Sequence, residues 1–145
     1  MSTVTLSQAD SIVAAALAHG RSASMKPLTV AVLDSGGHLV ALKREDHSSL
    51  LRPQIAVGKA WGALGLGMGG RELAKRASVA PAFIGAMSDL AQGKMVPVPG
   101  GVLIRDGAGA IIGAVGVTGD ISENDEACAV AGIHKVGLTA DPGAA

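Results

Sequence analysis

The stretch "PVPGGVLIRDGAGAIIGAVGVTGD", residues 97–120, decides the fold class of this 145-residue chain. Its seven glycines suggest a phosphate-binding loop, but a dinucleotide-binding loop runs into a helix whose amino end meets the phosphates. Here the glycines run into "AIIGAVGV", which is β-rich and too glycine-rich for a helix. The stretch therefore predicts two antiparallel strands joined by a turn at Asp106-Gly107, which supplies the positive φ angles. Gly113 and Gly116 then mark bare sheet that another backbone or a flat ligand can approach.

The remaining sequence predicts a second hairpin and a set of helices. "PLTVAVLD" (27–34) and "LVALKRE" (39–45) are apolar, strand-like runs joined by the turn residues "SGGH". Helices are expected from Thr5 or Ser7 to Gly20, from Arg52 to about Leu66, and over 70–77, 81–93 and 122–138, with a further strand over 94–101. Antiparallel strands with helices grouped between them indicate an α+β fold. We expect one domain over residues 1–145.

Composition narrows the class of partner. Twelve basic residues balance twelve acidic ones, which argues against a nucleic-acid surface because such a surface needs clustered Lys and Arg. Apolar residues make up 48% of the chain, yet it has one Trp, one Phe and no Tyr beside 21 glycines. The predicted core is therefore aliphatic and thin for a monomer. We expect a homo-oligomer that buries further apolar surface between subunits.

The expected location is the cytoplasm. The single cysteine, Cys128, cannot form an internal disulfide, so nothing suggests an oxidising compartment. The opening "MSTVTLSQADSIVAAALAHG" has no basic region, and Asp10 interrupts its apolar run, so it predicts an amphipathic helix rather than a signal peptide. No apolar run reaches the roughly 18 residues that a membrane span needs. We therefore expect no membrane partner.

Few residues point to chemistry by their spacing alone. His38, His47 and His134 lack metal-ligand spacing, so no metal site is predicted. Lys59 lies in an apolar helix stripe beside Trp61. It is either a lysine whose stem covers apolar surface or an anchor for a carboxylate, and the residues leave both alternatives open.

Four motifs together carry a family resemblance. They are "VLDSGGHLVALKRED" (32–46), "IAVGKA" (55–60), "VPGGVLI" (98–104) and "GAVGVTGDISENDEACAVAG" (113–132). In this order, over about residues 6–138, the chain resembles the GlcG/HbpS-like family of haem-binding proteins, which is similar to the C-terminal domain of PduO-type cobalamin adenosyltransferases. The resemblance implies a five-stranded antiparallel sheet flanked by helices, with profilin-like layering. It also implies homo-oligomers, from dimers to octamers.

The resemblance and the motifs together nominate the residues of a site. The candidate ligand-binding residues are Asp34, His38, Arg44, Lys59, Trp61, Gly100, Gly101, Thr118, Gly119 and His134. We expect the helix that carries Lys59 to pack near one end of the sheet. The segments expected to converge there are Asp34, Gly100-Gly101 and Thr118-Gly119. Trp61 stands where many family members have Arg or Ser/Thr, so it either fills the space of a porphyrin or stacks on a ligand ring.

The favoured function is binding. In this hypothesis an oligomer holds haem, a corrinoid or another flat ligand at a pocket near a subunit interface. The glycine-bare strands and the aliphatic core suit a flat apolar ligand, and His38 or His134 supplies an axial nitrogen.

The alternative is a small-molecule lyase, isomerase or hydrolase of a catabolic pathway that acts on a carboxylate-bearing substrate. Lys59 and Arg44 would orient the carboxylate, and Asp34 or Asp120 would act as general base. The catalytic candidates are Asp34, Lys59 and Asp120. A purely structural partner is disfavoured because the polar candidates cluster at the ends of strands and helices.

Overall fold

The computed structural model describes residues 2–145. The helices are α1 (Leu6–Ser22), α2 (Arg52–Leu66), α3 (Gly70–Val79), α4 (Pro81–Leu90) and α5 (Ser122–Lys135). The strands are β1 (Thr29–Asp34), β2 (Leu39–Arg44), β3 (Gly101–Arg105), β4 (Ile111–Thr118) and β5 (Thr139–Asp141). Within these described residues, no helix combines the length and apolar character that a membrane span requires.

The strands form one antiparallel sheet in the order β2-β1-β4-β3-β5, which confirms the predicted α+β class. β1 and β4 are apolar, rich in β-branched residues and almost wholly buried, as expected for central strands covered on both faces. Thr29 faces Thr118 at one end of the β1–β4 pair, and Asp34 faces Gly113 towards the other end. These two ends of the sheet carry different sets of candidate residues.

The helices cover the two faces of the sheet unequally. α1 and α5 pack on one face around a large aliphatic cluster that includes Ile12 and Val115. α2 covers the other face over a smaller cluster that includes Leu33 and Ala60. Trp61 is only half-buried, and the buried core of the described residues is aliphatic, as the composition predicts.

The bare strip of the sheet is occupied by the backbone of α2. Gly101 and Gly116 face each other on β3 and β4. A Cβ atom at Gly116 would collide with the carbonyl oxygen of Ala56, and one at Gly101 would collide with that of Lys59. Of the two alternatives that the sequence left open, close approach of another backbone is therefore correct at Gly116. A flat ligand on this strip is excluded because the helix already fills it.

Two local predictions are wrong in detail. Residues 106–110 form the expected hairpin turn, but the positive φ lies at Gly109 (84°) and not at Gly107. The Asp106 carboxylate holds the turn by accepting hydrogen bonds from the backbone N–H groups of Ala108 and Ala110, each at 2.9 Å. Residues 94–100 form no strand, since Pro97 and the proline two residues later remove backbone donors. β3 therefore begins only at residue 101.

Candidate functional site

Lys59 is buried inside the protein and bonded to it. Its side chain is 4% exposed, and its Nζ donates to Asp125 Oδ2 at 3.0 Å and to the Val117 carbonyl at 2.9 Å. Burial lowers the pKa of Lys59, and the attraction of Asp125 opposes that shift. Burial also raises the pKa of Asp125. Because the ammonium group already has a carboxylate and a carbonyl, Lys59 ties α2 to β4 and α5.

The predicted convergence around Lys59 is correct for two of its three segments. A Cβ atom at Gly100 would lie 2.8 Å from Lys59 Nζ. Val117, whose carbonyl accepts from Lys59, directly precedes Thr118 and Gly119. Asp34 does not join them, because it pairs with Gly113 at the opposite end of the β1–β4 pair. Asp34 and Arg44 belong to the same hairpin motif but lie at opposite ends of the sheet. The order of the motifs in the sequence does not show this.

Asp34 instead holds the turn between β1 and β2. Its Oδ1 accepts from the backbone N–H groups of Gly36 and His38, both at 2.9 Å, and lies 3.2 Å from His38 Nδ1. The backbone hydrogen bond from His38 is the main cause that lowers the pKa of Asp34. The His38 side chain is 81% exposed. Both residues therefore have a structural role in the turn.

Asp120 is committed to the start of α5. Its carboxylate accepts from the N–H groups of Lys26 (2.9 Å) and Ile121 (2.8 Å) and from Asn124 Nδ2 (2.8 Å). These hydrogen bonds, led by that from Lys26, lower the pKa of Asp120 to about 2. A carboxylate so stabilised in its charged form is a weak general base at neutral pH. Asp34 therefore lies away from Lys59, whereas Asp120 lies close to it but has its carboxylate engaged by three hydrogen bonds.

The other candidates lie apart from one another. Arg44 is exposed where β2 ends, opposite Thr29. Trp61 lies on α2 near the other end of β2, and its Nε1 would be 3.2 Å from a Cβ atom at Gly37. His134 is exposed in the last turn of α5, on the opposite face of the sheet from α2. These residues form no common pocket.

The sequence did not predict an apolar groove between β2 and α2. We call it the β2–α2 groove; its volume is about 420 Å³. It is lined by Leu39, Leu42, Pro53, Gln54, Val57, Gly58, Gln92, Gly93 and Lys94. Leu39 remains 55% exposed, and Leu50 and Leu51, just before α2, are 85% and 63% exposed. The sequence signal that could have indicated this apolar surface is the pair Leu50-Leu51 just before the predicted helix, which the structure leaves exposed.

A family model described as "Haem degrading protein HbpS-like" matches residues 4–134. The chain belongs to this family. Two solved structures similar to it are HbpS, at 27% identity and a TM-score of 0.81 over 92% of this chain and 90% of that chain, and Klebsiella pneumoniae protein ORFY, at 26% and 0.82 over 94% and 92%. A PduOC:haem complex, at 22% identity, covers 94% of this chain and 97% of that chain with a TM-score of 0.84, and shows the fold alone. No curated protein matches the chain significantly.

The HbpS-like assignment confirms the resemblance read from the four motifs and the five-stranded sheet that it implies. The motif glycines at 101 and 116 and Lys59 serve the contact between α2 and the sheet. In this chain those three motif residues make contacts within the fold and are not available to contact a ligand.

Two more features lie near the end of β2 that carries Arg44. A polar cleft of about 460 Å³ is lined by Arg21, Pro27, Arg44, Glu45, Asp46 and His47. Within it Arg21 pairs with Glu45 at 3.0 Å. On the other side of the strand, Arg52 Nη1 donates to Thr118 Oγ1 at 2.8 Å. Arg52 was not among the predicted site residues because no motif marks it.

Proposed function

We propose that this HbpS-like protein binds haem or a related tetrapyrrole in the β2–α2 groove. The observation that carries the proposal is the chemistry of the groove's walls. Leu39, Leu42 and Val57 offer apolar surface, and Gln54 and Lys94 bring polar groups to the same space. Small-molecule sites typically measure about 300–1,000 Å³ and combine apolar walls with a few polar groups. Membership of the family supports haem as the ligand class.

The groove suits the porphyrin ring better than it suits the iron. Haem supplies a redox-active iron that accepts axial ligands when it is bound. None of the nine residues that line the groove carries an imidazole, a thiol or a thioether. His38 and His134, the expected axial ligands, do not line it. In this proposal the side chains hold the ring through apolar contact, and neither histidine ligates the iron.

The proposal includes a homo-oligomer. Leu50 and Leu51 place strongly exposed apolar side chains at the start of α2, beside the groove. A second copy that covered them would bury this apolar surface and close the groove over a ligand. We also keep the cytoplasmic location as part of the proposal. The one cysteine, Cys128, is buried, and burial raises its pKa to about 11, which suits a thiol that stays reduced and unreactive.

The test is a haemin titration followed through the Soret band. We expect saturable binding by the wild-type protein and a large loss of affinity in Leu39→Asp, which puts a charge on the groove wall. Leu90→Asp is the matched control, because Leu90 is 77% exposed and does not line the groove. His38→Ala and His134→Ala should leave the spectrum unchanged. Unaltered haemin affinity in Leu39→Asp would place the ligand elsewhere.

A further inference from the structure

The amino end of α2 lacks the usual groups that stabilise it. No side chain from residues 2–145 caps it, and its first turn contains no acidic residue. A helix amino end carries partial positive charge and free N–H groups, which an anion or a capping oxygen normally satisfies. At α2 the first helical residue is instead a cation, Arg52. The local charge is therefore unbalanced.

Within residues 2–145, the side chain of Arg52 forms hydrogen bonds with neutral groups and with no carboxylate. Its Nη1 donates to Thr118 Oγ1 at 2.8 Å, and its Nε donates to Ser49 Oγ at 3.0 Å. The nearby carboxylate of Asp125 is already bonded to Lys59. Burial is the main cause that lowers the pKa of Lys59, and the charge of Arg52 adds to it. The structure therefore shows Lys59 paired with a carboxylate and Arg52 without one.

Two buried hydroxyl groups, one on the residue opposite Thr118 and one on a residue four positions before Arg52, have no hydrogen-bond partner within residues 2–145. They are Thr29 Oγ1 and Ser48 Oγ. Thr29 is fully buried and lies directly opposite Thr118, so the two threonine side chains share the sheet face on which Arg52 bonds to Thr118. A buried hydroxyl without a partner is costly and rare. An anion can accept from hydroxyl groups and from a guanidinium together.

We propose that a carboxylate group binds at the amino end of α2, where Arg52, Thr29 and Thr118 would hold it. The carboxylate is either that of the groove ligand or that of a free small acid. This inference deepens the proposed function when the ligand is haem, since haem carries carboxylate groups. It assigns the acid end of the ligand to Arg52 rather than to Lys94.

The three proposed residues do not line the β2–α2 groove but lie next to one end of it. α2 runs antiparallel to β2, because Trp61 lies against Gly37 before β2 while Arg52 bonds to Thr118 at the other end of the sheet. Pro53 follows Arg52 directly and lines the groove. A ligand whose apolar body lies along the groove can therefore direct an acid group towards Arg52.

Access would require the segment 46–51 to move, since it precedes α2 and Thr29 is fully buried. Glu45 stays in place, anchored by Arg21 and by hydrogen bonds with Leu28. Three features make that movement inexpensive. His47 has a φ of 71°, which is unfavourable for a non-glycine residue. Leu50 and Leu51 are exposed in the single subunit, so displacing them before a second copy covers them loses little buried surface. The turn is closed by a backbone hydrogen bond of 3.2 Å from Ser48 to Glu45. Such weakly held segments open most readily.

The first experiment uses sodium butyrate as the probe, against sodium chloride at equal ionic strength. We expect butyrate to raise the Tm of the wild-type protein with concentration, as a ligand of the folded state does. Arg52→Gln should lose this rise, and Arg52→Lys should keep part of it. Lys43→Gln is the matched control, because Lys43 pairs with Asp10 of α1, and it should keep the full rise. Thr29→Val should fold well but respond less to butyrate, whereas an unchanged response would mean that the hydroxyl holds no ligand.

The second experiment compares haemin with haemin dimethyl ester, which lacks the carboxylates. We expect the ester to bind the wild-type protein about tenfold or more weakly, and Arg52→Gln to abolish that preference. Equal binding of both compounds, combined with loss of both in Leu39→Asp, would overturn the carboxylate site and leave haem binding standing. A rise in Tm with butyrate but no haemin binding would overturn haem binding and leave the carboxylate site standing. The carboxylate site is also overturned if butyrate does not raise the Tm of the wild-type protein. The same holds if Lys94→Gln, rather than Arg52→Gln, removes the rise in Tm.

Discussion

Lys59 and Asp125 form an ion pair at 3.0 Å in which both side chains are almost completely buried, at 4% and 2% exposure. The pair joins α2 to α5, two helices that cover different faces of the sheet. Lys59 also donates to the carbonyl of Val117, the last residue but one of β4, so that three elements meet at one ammonium group. Removing either charge leaves the other buried without an opposite charge.

We therefore expect Lys59→Met to destabilise the protein by about 3–5 kcal/mol, the usual cost of an uncompensated buried charge. Denaturant unfolding measures this loss. Lys59→Met combined with Asp125→Asn should be less destabilised than Lys59→Met alone, because no charge is then left unpaired and the asparagine oxygen still accepts from the Asp120 N–H. If the double variant proves less stable than the single one, the ion pair is not the source of the effect.

Asp120 should make stability depend on acid pH. Its pKa is lowered from 3.8 to about 2 in the folded protein. A depressed pKa contributes stability that is fully present above the unfolded value and is lost as the pH falls through the folded one. The free energy of unfolding should therefore rise between about pH 2 and pH 4, and Asp120→Asn should flatten this part of the wild-type profile. A variant profile parallel to that of the wild type would contradict the assignment.

The turn between β3 and β4 should be sensitive at Gly109 and tolerant at Gly107. Gly109 has a φ of 84°, and a side chain in that region costs about 1–2 kcal/mol. Gly107 lies outside the positive-φ region, and a Cβ atom there would meet nothing within 4 Å. Gly109→Ala should lower the free energy of unfolding by that amount, and Gly107→Ala should change it little. Equal losses at the two positions would contradict the observed turn.

Gly116 should tolerate no side chain. A Cβ atom there would collide with the carbonyl oxygen of Ala56, and backbone atoms cannot move aside as a flexible side chain does. We expect Gly116→Ala to cost about 3 kcal/mol or more in the free energy of unfolding. Gly85→Ala is the matched control, because Gly85 is exposed within α4 and a Cβ atom there meets nothing within 4 Å. It should stabilise the protein by about 1 kcal/mol.

Local patterns in the sequence were enough to predict both hairpins and the α+β class, and they left two alternatives for Lys59, of which contact with a carboxylate is the one observed. They failed where position in the sheet decides the outcome. β5 is only three residues long and is held by pairing with β3, so no local periodicity marks it. Asp34 and Arg44 share one motif, yet they lie at opposite ends of the sheet because a strand separates them.

The candidate site was missed for a related reason. The β2–α2 groove arises because β2 is an edge strand that α2 leaves partly uncovered. The local sequence of β2 or of α2 does not show which strand lies at the edge. Arg52 and Thr29 belong to different elements and become neighbours only through the pairing of Thr29 with Thr118. A single sequence contains the residues but not the register that brings them together.

The contact of α2 with Gly101 and Gly116 has a consequence for how such a protein can diverge. The spacing between helix and sheet is set there by backbone meeting backbone, with no side chain between them. Substitutions at Leu42 or Val57 therefore alter the lining of the groove without changing the distance between the elements that form it. Gly101 and Gly116 fix the distance between α2 and the sheet and tolerate no side chain. Residues that line the groove can change without altering that distance.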